Sequence, residues 1–142
     1  MAGPDPQPLT LPRLLWRGLR RRCPLCGNGS CFRTFFEILD RCPTCNFPLR
    51  REEGHWIGAV GMNTIVSFGA LLVTLVGGIA LTWSERRAAP IFISTIAVAA
   101  VVPIVFFGPS QTLWSAVDLA MRPPEPADDV DPSWLPPPVR RT

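Results

Sequence analysis

Lysine is absent from this chain of 142 residues and histidine occurs once, so every fixed cation is an arginine. A lone imidazole, His55, with no second His or Met at ligand spacing, is a poor start for a haem or copper site and reads better as a hydrogen-bonding residue at an interface. No phosphate-cradling glycine loop, Ser/His/Asp set or paired-carboxylate site is present, which removes the usual motifs of hydrolysis and phosphoryl transfer. Charge is missing from two long stretches, Trp56 to Ser84 and Ala88 to about Gly108. A soluble domain of this length would scatter its apolar residues through the chain, whereas here they concentrate between Trp56 and Phe107. The formal net charge is only +3, and closing four thiolates around a divalent ion takes two charges off it. A ribbon that binds nucleic acid through Arg20, Arg21, Arg22, Arg33 and Arg41 is therefore disfavoured, the more so because no aromatic stacking platform accompanies them.

Cysteine is present, and four of the five residues fall into two matched pairs. Cys23-Pro24-Leu25-Cys26-Gly27 is answered by Cys42-Pro43-Thr44-Cys45-Asn46, with fifteen residues between the pairs. Two tight turns at this interval can each present two thiolates to one tetrahedral zinc ion at about 2.3 Å, the spacing of a zinc ribbon. Gly27 and Asn46 follow the second Cys of each pair, where a left-handed backbone is easily tolerated. The module, 22–54 with its polar hinge, is too small to bury a sufficient core, so the metal should supply folding free energy directly. Between the pairs, Phe32, Phe35, Phe36 and Leu39 fit a helix, while Phe32, Phe36 and Ile38 fit a strand, and periodicity leaves the choice open. Cys31 is surplus to a tetrahedron and reads as a partly buried spare thiol. The rival use of Cys23, Cys26, Cys42, Cys45 and Cys31, as a thiol–disulfide couple or metal relay, lacks the surrounding βαβ pattern of a thioredoxin-type site.

After the hinge Arg50 to Gly54 the uncharged runs predict two transmembrane helices, 55–84 and 88–108, joined by a short loop. At ~1.5 Å per residue each is long enough for a ~30 Å hydrocarbon layer, and Trp56 and Trp83 stand where interfacial aromatics belong. Nine arginines precede the first span, which places both termini in the cytoplasm and the loop Ser84 to Ala89 outside. A cytosolic module would then keep its thiols reduced and available for metal. Along the first span Asn63, Ser67, Ala70, Thr74, Gly78 and Thr82 form a small, weakly polar stripe suited to close helix contact. In the second span Pro103 frees the carbonyl of Ala99, and depth counting predicts that the Asn63 amide meets it across the hairpin.

The flanks carry less pattern. The lead-in and basic segment, 1–21, starts as a proline-containing stretch and continues with Leu11, Leu14, Leu15, Trp16 and Leu19 among arginines, as in a short helix on an anionic membrane surface. Its charges follow the apolar run, the reverse of a signal peptide. Residues 110–122 read as a cytoplasmic amphipathic helix, with Asp118 and Arg122 at i,i+4, resting on the inner leaflet or against the ribbon. The tail, 123–142, is rich in proline and acid and predicts a disordered extended linker, in which Trp134 and Leu135 could form a docking motif.

The order CPLCGNGSCF, RCPTCN, REEGHWIGAVGMNTIVSFG, two spans and TLWSAVDLAMRP, over residues 20–124, resembles the bacterial membrane proteins grouped as domain-of-unknown-function family 983. The resemblance implies a small inner-membrane protein with a cytosolic zinc ribbon and no established activity, some members being similar in genomic setting to cytochrome oxidase assembly genes. The expected fold is thus a membrane α-helical hairpin carrying a small N-terminal zinc ribbon and flanking amphipathic helices. The expected role is a non-enzymatic adaptor or accessory protein that meets the lipid bilayer and another membrane protein or complex, with respiratory-complex assembly as one setting.

Overall fold

The computed structural model describes residues 10–29, 31–51, 54–83 and 88–135. The expectations for the first nine residues, Glu52 and Glu53 of the hinge, the loop residues 84–87 and the last seven residues of the tail lie outside the described residues. Three α-helices are present among them: α1 (Leu11–Leu19), α2 (His55–Thr82) and α3 (Ala89–Met121), followed by single 3-10 turns at Pro126–Asp128 and Pro132–Trp134. Both α2 and α3 are long and apolar enough to cross a membrane, and they pack antiparallel along their length. Their small residues set the approach. A side chain on Gly58 would collide with the indole of Trp114, and one on Gly78 would touch Ile91 at 3.4 Å.

Asn63 does reach across the hairpin, donating its Nδ2–H to a carbonyl of α3 at 3.2 Å, but that carbonyl belongs to Pro103 and not to Ala99. The shift of one turn has a plain cause. Depth counting assumed that the second apolar helix ends near Gly108, whereas α3 runs unbroken to Met121 and its register against α2 is fixed lower down, where Trp114 lies on Gly58. The sequence divides this stretch into a span at 88–108 and a separate helix at 110–122; the structure has one helix with Pro103 and Pro109 inside it. Continuity survives Pro109 because the turns around it are held from outside. The Arg21 side chain lies against Gly108, where an added Cβ would come within 2.8 Å of Nε, and the Thr112 hydroxyl donates to the Gly18 carbonyl at 2.6 Å.

The core lies at one end of the hairpin, where Leu14 of α1, Leu25, Ile38, Phe47 and Leu49 of the cysteine module, and Ala116 and Leu119 of α3 are buried together with Val130 of the tail. Gln111, Ser115 and Asp118 stand at i, i+4 and i+7 and so share one face of α3. Each meets the cysteine module. Gln111 Nε2–H donates to the Phe36 carbonyl at 2.8 Å, Ser115 Oγ–H donates to the Leu49 carbonyl at 2.8 Å, and Asp118 pairs with Arg51 at 3.6 Å. The amphipathic segment therefore rests against the module. Helix α1 packs on α3 through Leu14 and Gly18, leaving Leu11, Trp16 and Leu19 exposed.

The described part of the tail is laid over the second cysteine turn, unlike the extended linker its composition predicts. Asp131 N–H donates to the Cys45 carbonyl at 3.1 Å, Asn46 Nδ2–H to the Asp129 carbonyl at 2.7 Å, and Arg41 to the Asp128 carbonyl at 2.9 Å. Trp134 and Leu135 pack against the core. Proline rigidity lowers the ordering cost of such a strap, and Arg51 anchors it by bonding both Asp128 carboxylate oxygens, at 3.2 and 2.5 Å, and the Arg122 carbonyl at 2.8 Å.

Candidate metal centre

Each cysteine pair sits on the same backbone device. In the first, Cys23 N–H donates to the Asn28 carbonyl and Gly27 N–H to the Cys23 carbonyl, both at 2.8 Å. In the second, Cys42 N–H donates to the Phe47 carbonyl at 2.9 Å and Asn46 N–H to the Cys42 carbonyl at 3.0 Å. Gly27 and Asn46 hold the positive φ that closes each turn, at 80° and 57°. Glycine adopts this conformation without steric cost and asparagine more readily than most residues, so the two positions carry fitting side chains.

The turns face each other. Asn28 Nδ2 bonds Thr44 Oγ1 from one turn to the other, and the four sulfurs of Cys23, Cys26, Cys42 and Cys45 lie within 4.8 Å of one another. Two approaches run between turns, 3.7 Å from Cys23 to Cys45 and 3.6 Å from Cys26 to Cys42. Four thiolates at about 2.3 Å from a tetrahedral metal would be separated by edges of roughly 3.8 Å, so the observed spacing fits a shared ion. Three of the four cysteines are buried, Cys26 is partly so, and Asn28 N–H points at Cys26 Sγ from 3.5 Å.

Crowding sets the protonation chemistry. The Cys26 and Cys45 thiols are pushed far above their ordinary range, in both cases foremost by hydrogen bonding with Cys23, then with Cys42 for Cys26 and with Cys26 for Cys45, while burial adds to the rise. Cys42 moves the opposite way, because its neighbours, Cys23 first, donate to its sulfur. Four thiolates cannot share so small a space without a cation, and a divalent ion would supply the missing charge.

Cys31 is buried but lies outside this set, its thiol 3.5 Å from the Asn28 carbonyl. His55 is buried at the start of α2, away from the sulfurs, and its Nε2 has no hydrogen-bond partner among the described residues. The described residues between the cysteine pairs form neither helix nor regular strand. They fold back through a single antiparallel bridge, Phe32 with Ile38, and the second turn closes likewise through Arg41 and Pro48.

Sequence reasoning missed two supports of the centre. Arg17 of α1, one of the arginines expected along an anionic membrane surface, instead donates to the Pro24 and Leu25 carbonyls at 3.2 and 2.7 Å and covers Gly27. The tail that caps the second turn is the other. Gly18 within an otherwise good helical pattern signalled the contact of α1 with α3 but not the reach of Arg17 to the cysteine turn. No family model, curated protein or solved structure matches this chain.

Proposed function

We propose that this chain is a membrane-anchored zinc-ribbon adaptor. Zinc is held by Cys23, Cys26, Cys42 and Cys45, α2 and α3 cross a bilayer as a hairpin, and the module with both termini stands on the cytosolic side. The observation that carries the anchoring is the apolar belt along the hairpin. Ile57 and Leu81 are 72% and 86% exposed, with Ile65, Phe68, Val73, Ile93 and Ile96 similarly bare. A water-soluble monomer rarely leaves so much contiguous apolar surface uncovered, whereas hydrocarbon covers it without cost. Zinc follows from an all-sulfur, four-ligand, closed site, the structural type that provides rigidity and keeps no open coordination position for substrate. The arginine distribution supports the cytosolic placement.

Such a unit offers a rigid surface fixed at a membrane, suited to holding a larger membrane complex. The family resemblance directs the search toward respiratory assemblies of a bacterial inner membrane. The test is purification in mild detergent from the native membrane, with metal analysis and identification of co-purifying proteins. One zinc per chain, four thiols protected from alkylation and a stoichiometric membrane partner are expected. Isolated protein that instead cycles its cysteines with a thiol substrate, and that no partner accompanies, would overturn the adaptor reading.

A further inference from the structure

A cavity of about 240 Å³ opens where the cysteine module meets the first turn of α2. Among the described residues its polar wall holds Arg50, His55 and Gln111 together with one carboxylate, Glu37. His55 is only 6% exposed and its Nε2, which lacks a partner among the described residues, is sealed from solvent, so the ring forms part of the cavity wall and offers no donor to it. As the first residue of α2 it also brings backbone N–H groups that have no intrahelical acceptor, at the positive end of a 28-residue helix. The bonds to the Gly54 carbonyl come from Ile57 and Gly58, leaving the N–H groups of His55 and Trp56 outside that turn.

Among the described residues the two charged side chains are held by surface pairs. Arg50 meets Asp40 at 3.3 Å and Glu37 meets Arg33 at 3.9 Å, with side chains half or more exposed, so either can turn to a new partner at little cost. The rim is apolar and aromatic, formed by Phe36, Phe107 and Trp56, the last 60% exposed. The volume corresponds to about eight waters, which suits a headgroup and excludes acyl chains.

We propose that this cavity binds the headgroup of a phospholipid bearing a primary amine, of the phosphatidylethanolamine type. The phosphate meets Arg50 and the start of α2, the ammonium meets Glu37, and the acyl chains leave past Trp56 and Phe36 along the hairpin. Glu37 is what distinguishes this lipid from its neighbours. It repels the uncompensated charge of an anionic headgroup, and a choline nitrogen has no N–H to give it. The proposal rests on the membrane reading above, which supplies the lipid at this depth.

Full-length protein reconstituted into nanodiscs of phosphatidylethanolamine, phosphatidylcholine or phosphatidylglycerol, followed by native mass spectrometry of retained lipid, tests it. Phosphatidylethanolamine should be retained over the other two by roughly tenfold, the worth of one charge-assisted hydrogen bond. E37Q should abolish that preference and raise retention of phosphatidylglycerol, while R50Q should lower retention of all three; bound metal in each variant reports that the module is folded. Equal retention of the three lipids, an unchanged order in E37Q, displacement by inorganic phosphate alone or preferential retention of a quinone would each overturn the site. In those cases insertion into nanodiscs still upholds the hairpin, whereas a chain that enters no nanodisc removes both.

Discussion

Replacing Cys45 by serine exchanges a thiolate for a hydroxyl in a closed set of four and leaves three buried sulfurs around an incomplete shell. Metal affinity should fall by more than the ~10–100-fold typical of lost outer-shell partners, as read by chelator competition. Cys31→Ser should leave metal content unchanged, since that thiol donates to the Asn28 carbonyl, which a hydroxyl can also reach. Gly58 makes a separate case. Any side chain there overlaps the Trp114 ring, so Gly58→Ala should cost about 1–3 kcal/mol in detergent unfolding, and Trp114→Ala in the same chain should return part of the loss. The contrast explains what single residues reveal in sequence. Gly27 and Asn46 could be read because their need for positive φ is local to a CxxC turn, whereas the need for Gly58 comes from an indole on another helix.

Among the elements, the strap formed by the two 3-10 turns depends on Arg51, which touches Phe47, Asp118 and Asp128 at once. Partial burial opposes ionisation of Asp128, but the Glu125 N–H and the Arg51 guanidinium outweigh it and hold the carboxyl below its ordinary range. A depressed carboxyl stabilises the fold fully above its unfolded pKa of ~4 and loses that contribution as pH falls through the lower folded value. The strap should accordingly stay seated at neutral pH, and Asp128→Asn should release it there. The readout is tryptophan fluorescence compared with a Trp134→Phe control, and an Asp128→Asn spectrum identical to the parent's would refute the anchoring role. This element was illegible in sequence because proline-rich, acidic composition reports the absence of an independent core and says nothing about packing on a neighbour's core. The single α3 was hidden for a related reason: Pro109 normally marks a boundary, and only Arg21 and Thr112, engaged with distant partners, make it tolerable.

At the scale of the whole molecule, two sources of order are separable. The hairpin's helices satisfy their backbone groups internally, while the cysteine module has only isolated bridges and a small core. Metal removal by a strong chelator should therefore unfold the module while far-ultraviolet circular dichroism retains most of its helical signal; loss of both together would show that the hairpin depends on the metal. Patterns of spacing and hydropathy made these two parts legible, but the joint between them was not, because Gln111, Thr112 and Ser115 look like ordinary helix residues until their acceptors are known. The strap that crosses this joint also imposes an order in time. Asp128 leaves the ribosome 87 residues after the Arg41 it will meet, which at ~5–20 residues per second is a delay of roughly four to seventeen seconds. Throughout that interval the second cysteine turn lacks the bonds that Asp129 and Asp131 later make to Asn46 and Cys45, so the two turns can meet before the tail is laid over them.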